Sequence, residues 1–240
     1  MLRRMITGLI VMLLSTPIEV SINMHNPTSP SLGNARVPVL TNTMLDGIMP
    51  SNYVLWRIAG ILPISTHMTA KALLVVVGSL LLAASAQFKI PLYPVPVTGQ
   101  TLVVLLIGMT YGPRLGGFTV ATYLLQGSLG LPVFAGAGFG IATLLGPTGG
   151  YLFGFLVASV VMGLLAERGM GRHIISTLIA MIIGNVVIYV MGASWLANFI
   201  GAEKALAAGV LPFLYGDALK LMVAAGLMPL AWRLVKGLQK

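Results

Sequence analysis

From residue 69 onward, long apolar runs alternate with short stretches rich in proline, glycine and polar residues. The runs are 69–86, 101–111, 115–127, 151–165, 174–191 and about 211–235. A helix needs about 20 mostly apolar residues to cross a bilayer. The first and the last three runs reach or approach that length. The second and third are shorter and must draw on the adjoining loops, across the tight connector Gly112-Pro113-Arg114. Pro212 stands at the start of the last run, in the first turn, where proline is tolerated. The pattern predicts an all-α integral membrane protein: six transmembrane helices with irregular outer loops.

Residues 1–66 follow a different pattern. Arg3-Arg4 precede a short apolar run, Met5 to Leu14, too short to span a bilayer. Its basic start resembles a signal peptide, but Pro17 and Glu19 interrupt and no clean small-residue cleavage site follows. Pro27, Pro30, Pro38 and Pro50 then sit among Ser, Asn and Thr, as in a loop or disordered linker. The expected division is an N-terminal extension, residues 1–66, and a membrane domain, residues 67–240. The extension is read as disordered, as an interfacial anchor, or as the product of a mis-called start, with Met24, Met44 and Met68 as alternative starts.

Composition narrows the class. Of the 240 residues, 57% are apolar and 8% charged, against roughly 25% charged in soluble domains. The net charge of +9 comes with no basic cluster interleaved with aromatics, so nucleic acid is not an expected partner. Absence of cysteine excludes disulfides, thiolate catalysis and cysteine zinc sites. The basic residues are unevenly placed. Arg114, Arg168, Arg172, Arg233, Lys236 and Lys240 fall on one side of a six-span topology, with Arg3, Arg4, Arg36, Arg57 and Lys71; Lys89 and Lys204 fall on the other. The positive-inside rule then puts both termini in the cytoplasm. A proline loop (87–100), a glycine-rich loop (128–150) and the segment Ser194–Leu211 face outward. That last segment, with Trp195, Asn198, Glu203 and Lys204, reads as interfacial with an aromatic anchor.

These loops carry candidate chemistry. Pro91, Pro94 and Pro96 stiffen an apolar loop. Irregular backbone at membrane depth must be buried in protein or line a cavity, so this loop is a candidate lid or pocket wall. Gly136, Gly138 and Gly140 form only a fragment of a dinucleotide fingerprint, without its strand and helix, and no glycine loop is followed by Lys-Ser/Thr. Gly146-Pro-Thr-Gly-Gly-Tyr151 is a glycine turn into a helix, whose free N–H groups suit a ligand.

One pair of residues stands out energetically. Of five acidic residues, only Asp217 lies inside a long apolar run. A charge at the centre of a membrane helix costs roughly 2.5–3.5 kcal/mol and usually pairs or marks a site. Lys220 is one helical turn away on the same face. Either the two form an internal ion pair, or they line a cavity and bind a polar solute. Asp217 lies five residues past Pro212, about 7.5 Å below the outer end of the helix, level with the outward loops. That placement favours a site open to the outside.

Taken together, these stretches resemble the BioY family, the biotin-binding substrate-specificity (S) components of energy-coupling factor (ECF) transporters. The matching residues are Ile90-Pro-Leu-Tyr-Pro-Val-Pro-Val-Thr98, Gly112-Pro-Arg114, Tyr123-Leu-Leu-Gln-Gly-Ser-Leu-Gly-Leu-Pro-Val-Phe-Ala-Gly136, Gly146-Pro-Thr-Gly-Gly-Tyr151, Tyr189-x-x-Gly192-x-x-Trp195-Leu196 and Gly216-Asp217-x-x-Lys220. They run in order from about residue 68 to 236. Each alone is weak, and the set is specific. The resemblance implies a six-helix fold in the cytoplasmic membrane of a bacterium, biotin as the transported substrate, no cofactor, and assembly with a transmembrane coupling subunit and two ATPase subunits. Homo-oligomerisation stays open. It maps the family's Asp-x-x-Lys ligand signature onto Asp217 and Lys220. Tyr123, Gln126, Tyr151, Asn185 and Tyr189 are candidate wall residues. Two features depart from the pattern. The alanine-xxx-alanine docking motif of the first helix has only Ser79-xxx-Ala83 as a counterpart, and residues 128–150 lack the arginine that some relatives carry there.

Three other readings compete: an S component for another vitamin, an intramembrane enzyme, and a ligand-free structural subunit. His25, His67 and His173 are scattered, which leaves an enzyme little chemistry to use.

Overall fold

The computed structural model describes residues 67–238; the expected N-terminal extension lies outside the described residues. The chain runs through α1 (His67–Gln87), a short hairpin of β1 (Lys89–Ile90) and β2 (Val97–Thr98), α2 (Gln100–Ser128), a single 3-10 turn (Ala135–Ala137), α3 (Ile141–Leu145), α4 (Gly149–Glu167), α5 (Ile174–Ile200), α6 (Ala202–Gly209) and α7 (Leu211–Leu238). The proline loop is therefore partly ordered, as an antiparallel pair with Lys89 opposite Thr98.

α2 is not one rod. Gly112 departs from helical geometry (φ 81°, ψ 174°) and is followed by Pro113. A β-carbon on Gly116 would lie 3.1 Å from the α-carbon of Gly108, whereas eight residues of continuous helix separate their ends by about 12 Å. The chain therefore folds back at Gly112 into two antiparallel limbs. Only glycine adopts that φ at low cost, and the proline removes an N–H that a continuing helix would need. With the limbs counted separately, α1, α4, α5 and α7 complete the six expected long helices. α2, α4, α5 and the stretch Ala202–Ala231 are long and apolar enough to cross a membrane, and Lys71–Gln87 is a shorter apolar helix.

One expectation is corrected. Ser194–Leu211 is not a separate interfacial segment. α5 continues through Trp195 to Ile200, and the chain breaks only at Gly201 (φ 85°) before the short α6. Nothing in the sequence between Met191 and Ile200 ends a helix, and the Trp195 indole N–H is used internally, donating to the Gly146 carbonyl at 3.0 Å.

Packing follows from small residues. A β-carbon on Gly163 of α4 would collide with the backbone of Gly112 and Pro113, and one on Gly108 would sit 2.8 Å from the Met162 β-carbon. Lipid tails supply no hydrophobic drive for helices to associate, so close backbone approach of this kind carries the packing. Gly163→Leu is expected to cost about 1–3 kcal/mol by overpacking, read as a lower melting temperature in detergent, while a substitution at Gly226, where a β-carbon meets nothing, leaves it unchanged. The outer surface is apolar: Leu80, Ile175, Val190, Leu219 and Met222 are among its exposed side chains. Several buried hydroxyls are satisfied within their own helix, as lipid favours. Ser85, Thr119, Ser159 and Thr177 each donate to a carbonyl three or four residues back.

The helix ends sort into two groups. The Gly112 turn and the α4–α5 turn lie at one end, where the Tyr111 hydroxyl meets the Leu74 carbonyl near the start of α1. The three longer connections lie at the other end. There Gln87 bridges to Phe134, Gln100 to Tyr123, and Tyr151 to Gly209.

Candidate functional site

A cavity of about 280 Å³ opens at the end that carries the long connections. Its wall combines Val95, Pro96 and Thr98 of the proline hairpin with Gln100 and Thr101 at the start of α2. Phe134, Ala135 and Gly138 of the glycine loop, Thr143 of α3, and Thr148 close one side. Tyr151, Leu152 and Phe155 of α4, Ile188 and Tyr189 of α5, and Phe213 of α7 close the other. Phe134, Tyr151, Phe155 and Phe213 are buried, whereas Pro96, Ala135, Gly138, Thr143, Thr148 and Tyr189 are half-buried; four of these six belong to the glycine loop and its flank, so the cavity opens past that loop. The volume is at the small end of the roughly 300–1,000 Å³ usual for ligand pockets.

The floor is aromatic. Tyr151 and Phe213 stack 5.9 Å apart at 9°, and Tyr189 meets Phe213 edge-on at 6.4 Å. Tyr151 is pinned by its hydroxyl, which donates to the Gly209 carbonyl at 2.7 Å. Glycines make room for the ring: a β-carbon on Gly192 or Gly209 would strike Tyr151.

The polar side of the cavity is organised from behind. Asp217 is 2% exposed and Lys220 is half-buried; the two are ion-paired at 2.8 Å. All three ammonium protons have acceptors: Asp217 Oδ1, Thr101 Oγ1 at 2.8 Å and the Thr98 carbonyl at 2.7 Å. Asp217 also accepts from the Thr101 hydroxyl at 3.2 Å and, on Oδ2, from the Tyr189 hydroxyl. Thr98, Thr101 and Tyr189 line the cavity; neither charged side chain does. The pair is thus a saturated, neutral unit that touches the chamber through three wall residues. A second chain of bonds sets the glycine loop. Gln100 Nε2 donates to the Tyr123 hydroxyl at 2.6 Å, and Tyr123 donates to the Val133 carbonyl at 3.0 Å.

The seven residues singled out from the sequence separate accordingly. Tyr151 and Tyr189 are in the cavity wall. Asp217 and Lys220 stand one layer behind it, and so does Tyr123, fully buried against Phe134. Asn185 is 6% exposed, one turn before Tyr189, and its Oδ1 has no hydrogen-bond partner among the described residues. It borders a narrow gap with Thr101, Met181, Lys220 and Leu221. Gln126 is not at the cavity; its amide donates to Ser79 Oγ at 3.3 Å and ties α2 to α1. The residues that sequence reading missed are chiefly Thr98, Gln100, Thr101, Thr148, Phe155 and Phe213. Thr98-Gly-Gln-Thr101 did carry a signal, as a polar cluster at the start of an apolar span. Phe155 and Phe213 carried none, since an aromatic in an apolar run looks the same facing lipid or cavity.

Fold and site define a multi-span helical membrane protein with a small, uncharged ligand chamber at one end of the bundle. The chain belongs to the BioY family: the model described as BioY family matches residues 57–237. A probable biotin transporter BioY of Pyrococcus horikoshii is 43% identical over 144 residues, covering 60% of this chain and 85% of the relative. The biotin transporter BioY of Thermotoga maritima is 42% identical over 146 residues, with the same coverage of 60% and 85%. Among solved structures, the crystal structure of the S-component for biotin from an ECF-type ABC transporter is similar with a TM-score of 0.64 at 25% identity, covering 72% of this chain and 94% of that one.

Proposed function

We propose that this chain is the biotin-capturing S component of an ECF-type transporter. Biotin has a fused ureido–thiophane head and a valerate tail ending in a carboxylate. The carrying observation is the neutral chamber of about 280 Å³, floored by Tyr151, Phe213 and Tyr189 and fringed by Thr98, Gln100 and Thr101. An apolar ring system with hydrogen-bonding edges suits such a wall. Asp217 and Lys220 act through Thr101, Tyr189 and the Thr98 backbone, polarising groups that meet the ureido edge. Asn185 lies behind the wall beside Lys220, and Tyr123 holds the glycine loop in place.

The basic residues support an orientation. Lys71, Arg114, Arg168, Arg172 and Arg233 fall at the end away from the cavity, and Lys89 and Lys204 at the cavity end. By the positive-inside rule the chamber faces outward from the cytoplasmic membrane. An S component captures its solute without catalysis, so uphill movement is assigned to a transmembrane coupling subunit and ATPase subunits.

The test is equilibrium binding of labelled biotin to the detergent-purified full chain, with excess thiamine or riboflavin as competitors. Saturable binding displaced by unlabelled biotin alone is expected. Absence of saturable binding, or displacement by either other vitamin, overturns the proposal.

A further inference from the structure

A carboxylate is expensive to bury without a partner, yet among the described residues no charged side chain lines the cavity. Lys220 cannot serve directly, because its three protons are already committed to Asp217, Thr101 and Thr98. The mouth offers an alternative. β1 places Lys89 opposite Thr98, and Lys89 is exposed. Its side chain reaches across to the glycine loop, where a β-carbon on Gly136 would collide with the Lys89 ammonium. The ammonium therefore rests against Gly136, whose chain neighbour Ala135 and next-but-one residue Gly138 both line the cavity.

The contact is built rather than casual. Gly136 and Ala137 are both left-handed (φ 68° and 57°), a costly conformation for alanine. Gln87 holds the turn in it, donating to the Phe134 carbonyl at 3.2 Å and accepting from the Ala137 N–H at 3.2 Å. The side chain that clamps this turn and the one that lies over it are two residues apart, so the end of α1 fixes both. Among the described residues the Lys89 ammonium makes no hydrogen bond or ion pair.

The geometry points to Lys89 as the cation that holds the carboxylate of the captured solute at the mouth of the chamber. Resting on the biotin reading, this also sets the ligand's direction: the ureido head goes inward, toward Thr101 and Tyr189, and the valerate tail runs out past Ala135 and Gly138 to Lys89. The charged groups nearest the inner end are Asp217 and Lys220, which neutralise each other. Glu203 and Lys204 are on α6, outside the cavity wall.

The experiment compares biotin with biotinol, whose tail ends in a neutral alcohol, on the purified full chain as wild type, Lys89→Gln and Lys89→Arg. Lys89→Gln is expected to weaken biotin binding about tenfold, one hydrogen-bonded charge contact, and to leave biotinol binding unchanged. Lys89→Arg restores biotin binding. Added salt weakens biotin binding in the wild type and not in Lys89→Gln. Equal biotin affinity of wild type and Lys89→Gln, or equal loss of both ligands, overturns the assignment while the biotin reading stands. A wild-type protein that binds neither ligand overturns both.

Discussion

Lys220→Gln and Asp217→Asn, made singly, are expected to destabilise the protein severely, and the double variant to regain most of the loss. Each single change leaves a charge buried without its counter-ion, a cost of about 3–5 kcal/mol. The carboxylate is 2% exposed and accepts three hydrogen bonds. All three ammonium protons are bonded as well. At about 2–4 °C per kcal/mol for a domain of this size, either single variant should melt about 10 °C lower in detergent. The double variant removes both charges and keeps hydrogen-bonding groups of similar size, so its melting temperature returns to near the wild-type value. Its biotin affinity should not return, because the hydroxyls of Thr101 and Tyr189 and the Thr98 backbone are no longer oriented by charge. Single variants that melt like the wild type would show the pair to be a weak surface bridge. A double variant with full affinity would remove it from binding.

Thr101→Val should sever the chamber from the pair behind it. Among the described residues Thr101 is the one wall residue bonded to both charges, donating to Asp217 and accepting from Lys220. Valine keeps the shape and loses both bonds, each worth about 1.5–3 kcal/mol to a charged group. The expected result is lower thermal stability together with at least tenfold weaker biotin binding. Thr101→Ser, which keeps the hydroxyl, should stay near wild type in both. The same behaviour from Val and Ser would mean that steric fit, and not the hydroxyl, matters at this position.

The two cases show what could be read before any coordinates. Asp217 and Lys220 stand out in one dimension because charge inside an apolar run is anomalous wherever it points. The helices are legible for a similar reason: a bilayer imposes a length and a composition on each span. The turn at Gly112-Pro113 is legible because both residues act on the local backbone. Thr101 is different. Its hydroxyl looks like any threonine in a membrane helix, where bonding back to a carbonyl of its own helix is common. Gln126, which the sequence marks as strongly as Tyr123, turns out to join α1 to α2 instead of facing the chamber.

The sequence by itself therefore determined the spans, the reversal at Gly112, the concentration of irregular loops at one end and the coupled charges beneath them. All of these rest on local chemistry or on the uniform demand of lipid. The tertiary structure decided which residues stand between the charged pair and the cavity, which aromatics floor the chamber, and that the Lys89 ammonium rests on Gly136. Each of these depends on residues brought together across 23 to 122 positions of sequence, as between Gln100 and Tyr123 or between Thr98 and Lys220. At such separations no periodicity carries information, and only the packing of one helix on another sets the distance.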